Sequence, residues 1–380
     1  MIKYLVFTII LFLPFCVQAQ EYALYYTVND SLKIGIMGAP YGSYSSEFGI
    51  SFGLSAHIFE KNLSQNIYAG QDFWMRIDGE YSLINEKGLT FEGRLPFRKI
   101  KQLLSYELTY KSLPRTYHGI GGNTDKKNEY HYTKEYYRFA GNWTRAITGS
   151  AHLGMAWDLS SYQNTDLDSL ISYPKIEGFD NPYKAISIGP VFIYNTKTPN
   201  NFPSSGSYYK NEILFYNKAL SSDYDFVTWK QEFQYFYRLF EAGRINASPT
   251  ENRPKQDHIL ATQIISQNTF GEVPFHYLPE QGGASLMRGL STGRHIDKQY
   301  LAAQTEYRSP FIFWRVSAVS FLATGISYKD LNDIKIHNLN FTGGFGLRFA
   351  LDKQERVNAR ADIGFSKDGM QIYLKFGESF

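Results

Sequence analysis

The sequence predicts an all-β chain, a closed transmembrane antiparallel β-barrel of about 16 strands with a long loop folded into its lumen. Three observations carry this. Apolar and polar residues alternate in segments of roughly ten residues, most regularly from Leu301 to Phe380, and charges there keep to one face. Aromatic residues make up 17% of the chain, with 30 Tyr and 29 Phe, yet the mean hydropathy is −0.34. The N-terminus reads as an export signal. Together these fit a wall whose lipid-facing side chains alternate with water-facing ones, with Tyr and Phe in interface girdles.

Residues 1–19 form the expected signal peptide. Lys3 gives the positive start, residues 4–15 the apolar run, and Val17-Gln18-Ala19 a small-residue cleavage site. The run is shorter than the roughly 20 residues a spanning helix needs. Cys16 is the only cysteine, and the bulky Phe15 before it argues against a lipoprotein signal. Cleavage after Ala19 removes that thiol, which excludes disulfides, thiolate metal sites and a cysteine nucleophile. The expected layout is therefore 1–19 signal peptide and 20–380 barrel. A formal charge of +3 without a clustered basic face argues against nucleic acid as a partner.

Sharing the mature chain among sixteen strands leaves about 22 residues for each strand and its connection. Strand-like stretches occupy residues 32–39, 48–59 and 66–84, then 89–97 and 103–110 after the turn Asn85-Glu86-Lys87-Gly88. His118-Gly119-Ile120-Gly121-Gly122 reads as a surface loop needing positive φ, because no helix follows to make it a phosphate site. Residues 130–147 and 150–162 form the next pair, followed by a polar extracellular loop over 163–182. Strands at 185–197 and 207–220 bracket the Pro, Ser and Asn-rich 200–206. In 225–240, Val227, Trp229, Phe233, Tyr235, Tyr237 and Leu239 share one face, opposite Thr228, Lys230, Glu232, Gln234 and Arg238.

Residues 259–267 lead into the long loop 272–298. Beyond it, Ala302, Gln304, Glu306 and Arg308 oppose Leu301, Ala303, Thr305 and Tyr307, and 315–328 follows. Phe341, Phe345, Leu347, Phe349 and Leu351 oppose Thr342, Gly344, Gly346 and Arg348. Asn358, Arg360, Asp362 and Ser366 oppose Val357, Ala359, Ala361, Ile363 and Phe365. Last, Ile372, Leu374, Phe376 and Phe380 oppose Gln371, Tyr373, Lys375 and Gly377. A lipid-facing Arg or Lys would cost about 2–4 kcal/mol at the midplane, so the charged faces belong inside.

Within the loop, Gly282-Gly283 precede Leu286-Met287-Arg288-Gly289-Leu290, and Thr305-Glu306-Tyr307-Arg308-Ser309-Pro310 follows on the twelfth strand. With Gly344-Phe345-Gly346-Leu347-Arg348 and the ending Tyr373-Leu374-Lys375-Phe376-Gly377-Glu378-Ser379-Phe380, the chain resembles the bacterial surface antigen family. That family belongs to the superfamily of outer-membrane protein assembly and translocation barrels. The likeness is dense in the C-terminal third and thins upstream to points such as residues 117–122 and 203–206. An Asp-Thr-Arg-Asp-like signature near Asn195-Thr196-Lys197 is degraded.

The resemblance implies that Arg288 enters the barrel and contacts acidic residues on the inner wall, with Gly289 permitting a tight turn beside it. Glu306 occupies the matching position on strand twelve, where a guanidinium can make two parallel hydrogen bonds to one carboxylate. Relatives carry an aspartate before glycine on the next strand, where this chain has Ala323-Thr324-Gly325. Asp362, inward on strand fifteen, is the candidate replacement. The competing reading makes Arg288 one of many lumenal arginines solvated by pore water. The resemblance also makes Tyr373, Phe376 and Phe380 a terminal β-signal. It implies a seam between residues 33–39 and 371–376, weakened by Gly35 and Gly38, that opens sideways to a client strand.

An enzyme is not expected. Gly49-Ile50-Ser51-Phe52-Gly53 matches G-x-S-x-G, but Phe48, Ile50, Phe52 and Leu54 alternate with Gly49, Ser51, Gly53 and Ser55 as in a plain strand. The histidines show no ligand-like spacing, and no metal or cofactor is expected. The resemblance implies assembly, insertion or translocation of polypeptides at the bacterial outer membrane. The implied partners are outer-membrane lipid, polypeptide clients and an assembly complex. Relatives usually carry POTRA domains, absent from this expected layout, which implies either an accessory role beside a full assembly complex or delivery of clients by another periplasmic partner. The alternative is a passive pore or structural protein without assembly activity.

Overall fold

Alternating side chains can satisfy a two-faced wall only if its backbone hydrogen bonds close on themselves. The computed structural model shows that closure. It describes residues 26–28, 34–60, 73–122, 124–125, 127, 129–167, 176–198, 202–241, 257–351 and 358–380. The expected signal segment 1–19 lies outside the described residues, as do 32–33, 66–72 and 357 of the expected strands.

Sixteen strands form the wall among the described residues. The first six are β1 (Ile34–Ser45), β2 (Gly49–Glu60), β3 (Trp74–Ser82), β4 (Lys87–Phe97), β5 (Gln102–Tyr117) and β6 (Tyr130–Ala146). Next come β7 (Ala151–Thr165), β8 (Tyr183–Asn195), β9 (Gly206–Tyr216), β10 (Phe226–Glu241) and β11 (Asp257–Gly271). After the long loop follow β12 (Gln299–Phe313), β13 (Val316–Tyr328), β14 (Asn340–Ala350), β15 (Asn358–Ser366) and β16 (Gly369–Phe376). Each pairs antiparallel with the next, and β16 returns to β1.

The two faces differ as the alternation requires. Phe52, Leu54, Leu322, Phe341, Phe345 and Leu347 are exposed, forming part of an apolar outer belt. Their neighbours Ser51, Thr342 and Arg348 are buried, as are Gln304, Glu306 and Arg308 on β12. A polar residue buried inside and a phenylalanine exposed outside invert the order of a soluble core. The inner face therefore carries the chemistry.

Several boundaries and one loop differ from expectation; the strand expected over 259–267, for instance, is Asp257–Gly271. β5 continues past Tyr110 to Tyr117, because Leu113 and Tyr117 still bury their side chains inside, although Pro114 has no N–H to give the ladder. Leu220 ends not in a strand but in a 3-10 turn, where the Asn217 side chain caps Ala219 N–H at 2.8 Å. His118 to Gly122 is not a free surface loop. Gly119 and Gly121 do take positive φ, but the Gly121 N–H donates to the Ile296 carbonyl at 2.7 Å, inside the long loop.

The seam also lies elsewhere than expected. β16 meets β1 at Tyr373 opposite Ser45 and Leu374 opposite Tyr44, and the Ser46 N–H donates to the Ile372 carbonyl at 3.0 Å. In this antiparallel register β16 runs toward Gly38 but ends at Phe376, level with Gly42, and so reaches neither Gly38 nor Gly35. Those glycines face β2 on one side, and Gly35 faces the short upstream strand Tyr26–Val28 on the other. Two registered pairs join β16 to β1, whereas the other neighbouring strands share from seven to sixteen.

Candidate functional site

The loop 272–298 binds the inner face of the wall at several separate places. At its start a 3-10 turn, Phe275–Tyr277, enters an aromatic cluster contributed by β5 to β10. The Phe275 ring sits 4.8 Å from Phe179 and 5.4 Å from Tyr117. The His276 imidazole stacks on Tyr162 at 4.8 Å, and its two nitrogens meet the Tyr183 hydroxyl at 3.0 Å and the Asn164 side-chain oxygen at 2.8 Å. Burial, and then the charge of Lys134, pushes this imidazole well below its ordinary pKa, so it docks neutral. Tyr277 donates to Asp158 at 3.2 Å and bonds Ser160.

Further along, Glu280 lies 3.6 Å from the Lys134 ammonium. The Gln281 side-chain oxygen accepts from Asn340 at 3.2 Å and Ser327 at 3.3 Å. Gly282 and Gly283 both take positive φ, and the Gly283 N–H donates to the Leu290 carbonyl, folding the tip back on itself.

Arg288 stands at that tip, wholly buried. Its Nη2 donates to Glu306 Oε2 at 2.6 Å and its Nη1 to Asp362 Oδ2 at 2.9 Å. The guanidinium lies 3.6 Å from the centre of the Phe321 ring. It places one nitrogen on each carboxylate rather than forking onto one. It bridges two, and Asp362 on β15 supplies the second. On β13, Phe321 provides a π-face beneath the cation, two residues before Ala323-Thr324-Gly325.

The two carboxylates are shared. Glu306 Oε1 accepts from Arg308 Nε at 2.8 Å, and Asp362 Oδ1 accepts from Arg348 Nη1 at 2.6 Å. Arg360 adds a longer bond to Asp362 Oδ2 at 3.3 Å. Arg348 Nε donates to Glu378 at 2.8 Å, and the Ser379 hydroxyl donates to Glu306 Oε2 at 3.2 Å. Four guanidinium groups thus meet three carboxylates away from bulk water. Such a network holds only when its geometry is kept, because an unpaired buried charge costs several kcal/mol.

Backbone contact fixes the tip against β15. Gly289 has φ of 113°, and a Cβ on it would come within 2.8 Å of the Phe365 backbone. A Cβ on Gly364 would meet the Arg288 carbonyl at 2.6 Å. The Gly289 N–H donates to the Tyr373 hydroxyl at 3.2 Å, and its carbonyl accepts from Ser366 at 2.7 Å. Beyond the tip, Thr292 donates to Glu47 at 3.0 Å, and Arg294 donates to Thr124 at 2.8 Å and pairs with Asp368 at 2.8 Å.

The structure therefore brings Gly282, Gly283, Arg288, Gly289, Glu306, Asp362 and Tyr373 into one assembly. Phe376 and Phe380 stand apart from it and from each other. Phe376 ends β16 on the outer side, edge-on to Tyr41 at 5.9 Å. Phe380 was expected to continue that face. Instead the chain leaves the wall after Phe376, the Gly377 N–H bonds the Asn358 carbonyl, and the Phe380 ring lies against Phe236 on the inner face. The bonds of Glu378 and Ser379 to the arginine network hold it there.

Sequence reasoning left Arg308, Arg348 and Arg360 out of the site. Their inward parity on three nearby strands was the available signal, since buried cations need carboxylates in reach. Gly364 and the Phe275–Tyr277 anchor had no such signal. Among the described residues, no group of three His, Cys, Asp or Glu is placed to hold a metal ion.

Neither a protein-family model nor a curated protein sequence matches the chain. Solved structures do. BamA from Haemophilus ducreyi lacking POTRA domains 1–3 aligns with a TM-score of 0.57 and 13% identity, over 93% of this chain and 74% of that one. CdiB from Acinetobacter baumannii aligns with a TM-score of 0.54 and 10% identity, over 90% and 59%. CdiB from Escherichia coli gives 0.55 and 12%, over 92% and 63%. The chain thus spans about three-quarters of that BamA chain and about three-fifths of each CdiB chain. At such identities the likeness is one of fold.

Proposed function

We propose that this chain is a bacterial outer-membrane barrel that inserts or translocates polypeptides, with the loop 272–298 acting as a lumenal plug held by Arg288. The observation that carries the reading is the seam. A wall joined everywhere else by long ladders is closed by two registered pairs between β1 and β16. In lipid, unpaired backbone N–H and C=O groups cost several kcal/mol each, so a seam this short favours an added strand. The plug gives the same reading a second support. A barrel serving only as an open pore gains nothing from a loop bonded to the inner side chains of both its halves.

The test is photo-crosslinking in living cells, with probes at Met37 on β1 and Leu374 on β16. Adducts with nascent outer-membrane or exported chains are the expected result and identify the client. Adducts confined to lipid, or to the two strands themselves, would replace this reading with a structural or pore protein.

A further inference from the structure

The edge of β1 that faces β16 is not left bare where β16 ends. Ile34, Gly35 and Ile36 pair with β2 on one edge at Glu60, Phe59 and Ile58. On the other edge they pair antiparallel with Val28, Thr27 and Tyr26. That second edge is the one that meets β16 at Tyr44 and Ser45. Between these two contacts, no strand pairs with Met37 to Ser43 on that edge among the described residues.

We propose that Tyr26–Val28 is a built-in occupant of the seam, a short strand of the chain itself that competes with an incoming extended polypeptide for the edge of β1. The inference rests on the proposed strand-accepting seam and adds to it a competitor in the same molecule.

The physical case is one of backbone accounting. An edge in a membrane wall needs partners, and strand addition supplies them with no requirement on side-chain identity. Three residues cover the edge cheaply and leave it cheaply. A visiting strand longer than three residues can begin on the open stretch from Met37 to Ser43 and then displace Tyr26–Val28 one pair at a time. The upstream segment thereby protects the edge when no client is present and yields to a client strand long enough to displace it. The inward course of Gly377 to Phe380 serves the same end, because residues bonded to Arg348, Glu306 and Asn358 are withheld from the seam.

The register makes the idea testable without knowing the client. Tyr26 stands opposite Ile36, a pairing whose Cα separation suits a disulfide. The full chain carrying Tyr26→Cys and Ile36→Cys, with Cys16→Ser to remove the other thiol, is folded into phosphatidylethanolamine and phosphatidylglycerol vesicles. The control pair is Tyr26→Cys with Met37→Cys, since a one-residue slip turns the second side chain to the other face. The probe is a synthetic peptide copying residues 369–380, carrying a photoreactive group.

The expected result is a disulfide in the first pair and not in the control, with peptide capture at least tenfold higher after reduction than before. No disulfide in the first pair, or equal capture in the locked and reduced forms, would overturn the proposal. If locking controls capture while crosslinks in cells show no client chains, the competitor stands and the assembly reading falls. The reduced form of the same protein is its own folding control.

Discussion

Arg288 and Asp362, 74 positions apart, meet at 2.9 Å where the backbone of the loop tip lies directly on that of β15. The same guanidinium holds Glu306 on β12, so one side chain ties the loop to two strands that are not neighbours. Replacing Arg288 with Ala leaves both carboxylates buried with their remaining arginines and removes the cation over Phe321. Loss of one member of a buried pair costs about 3–5 kcal/mol when nothing compensates. Arg308 and Arg348 compensate in part, so the loss here is expected near the lower end, about 3 kcal/mol. Limited proteolysis of the folded barrel in detergent checks it, with cleavage between Gly282 and Gly293 appearing in the variant. An uncleaved loop would mean that the aromatic anchor alone holds the segment.

Gly364→Ala separates docking from wall stability. Glycine within a strand costs roughly 0.5–1 kcal/mol relative to alanine, so the wall alone predicts a stabilised variant. The loop predicts the opposite, since the new methyl would lie 2.6 Å from the Arg288 carbonyl. The expected outcome is a barrel with an unchanged or raised unfolding midpoint and a loop that has lost its protection from hydrogen exchange. A lowered midpoint with a protected loop would contradict the packing described.

How much of this was legible in the sequence follows from where the information lies. Alternation along one strand is a local property, so the parity of Glu306, Arg348 and Asp362 could be read directly, and with it the closed wall. Asp362 reached the site as a candidate through that parity, though only tertiary contact shows which carboxylate Arg288 selects. The fate of Phe380 was not local. Its spacing from Phe376 continues the outer face, but Glu378 between them would face lipid in an extended strand. The arginines inside offer it partners. The seam was misplaced for a similar reason, because register between the first and last strands depends on the closure of the whole ring.

His276 gives the loop a pH dependence. Its pKa is depressed when docked and returns to about 6.5 when the loop is free in water. Above that value both states are neutral and docking keeps its full stability. As pH falls below it the free loop binds a proton that the docked loop excludes, so docking weakens by up to about 1.4 kcal/mol per unit. Hydrogen exchange of residues 272–298 at pH 8, 6.5 and 5 is expected to show protection unchanged over the first step and reduced over the second. His276→Phe keeps a ring against Tyr162 but strands the Asn164 and Tyr183 side chains, costing about 1–3 kcal/mol. In that variant the loss over the second step should disappear. If it persists, another group carries it.

Ion flow reports on the loop as a whole. The loop's contacts run from Tyr277 at Asp158 on β7 to Arg288 at Asp362 on β15, and the proposed plug would span the lumen between these two anchors. In planar bilayers the intact chain is expected to give small, erratic currents. Arg288→Ala frees the tip but leaves Phe275 to Tyr277 anchored, which predicts intermittent large openings. Adding Tyr277→Phe removes the bonds to Asp158 and Ser160 at the other anchor and should lengthen those openings. The combined effect should exceed the two single effects together, since either anchor alone returns the loop to the wall. Large, steady conductance from the intact chain would show that the loop does not close the lumen. The seam would then have to carry the proposed function without it.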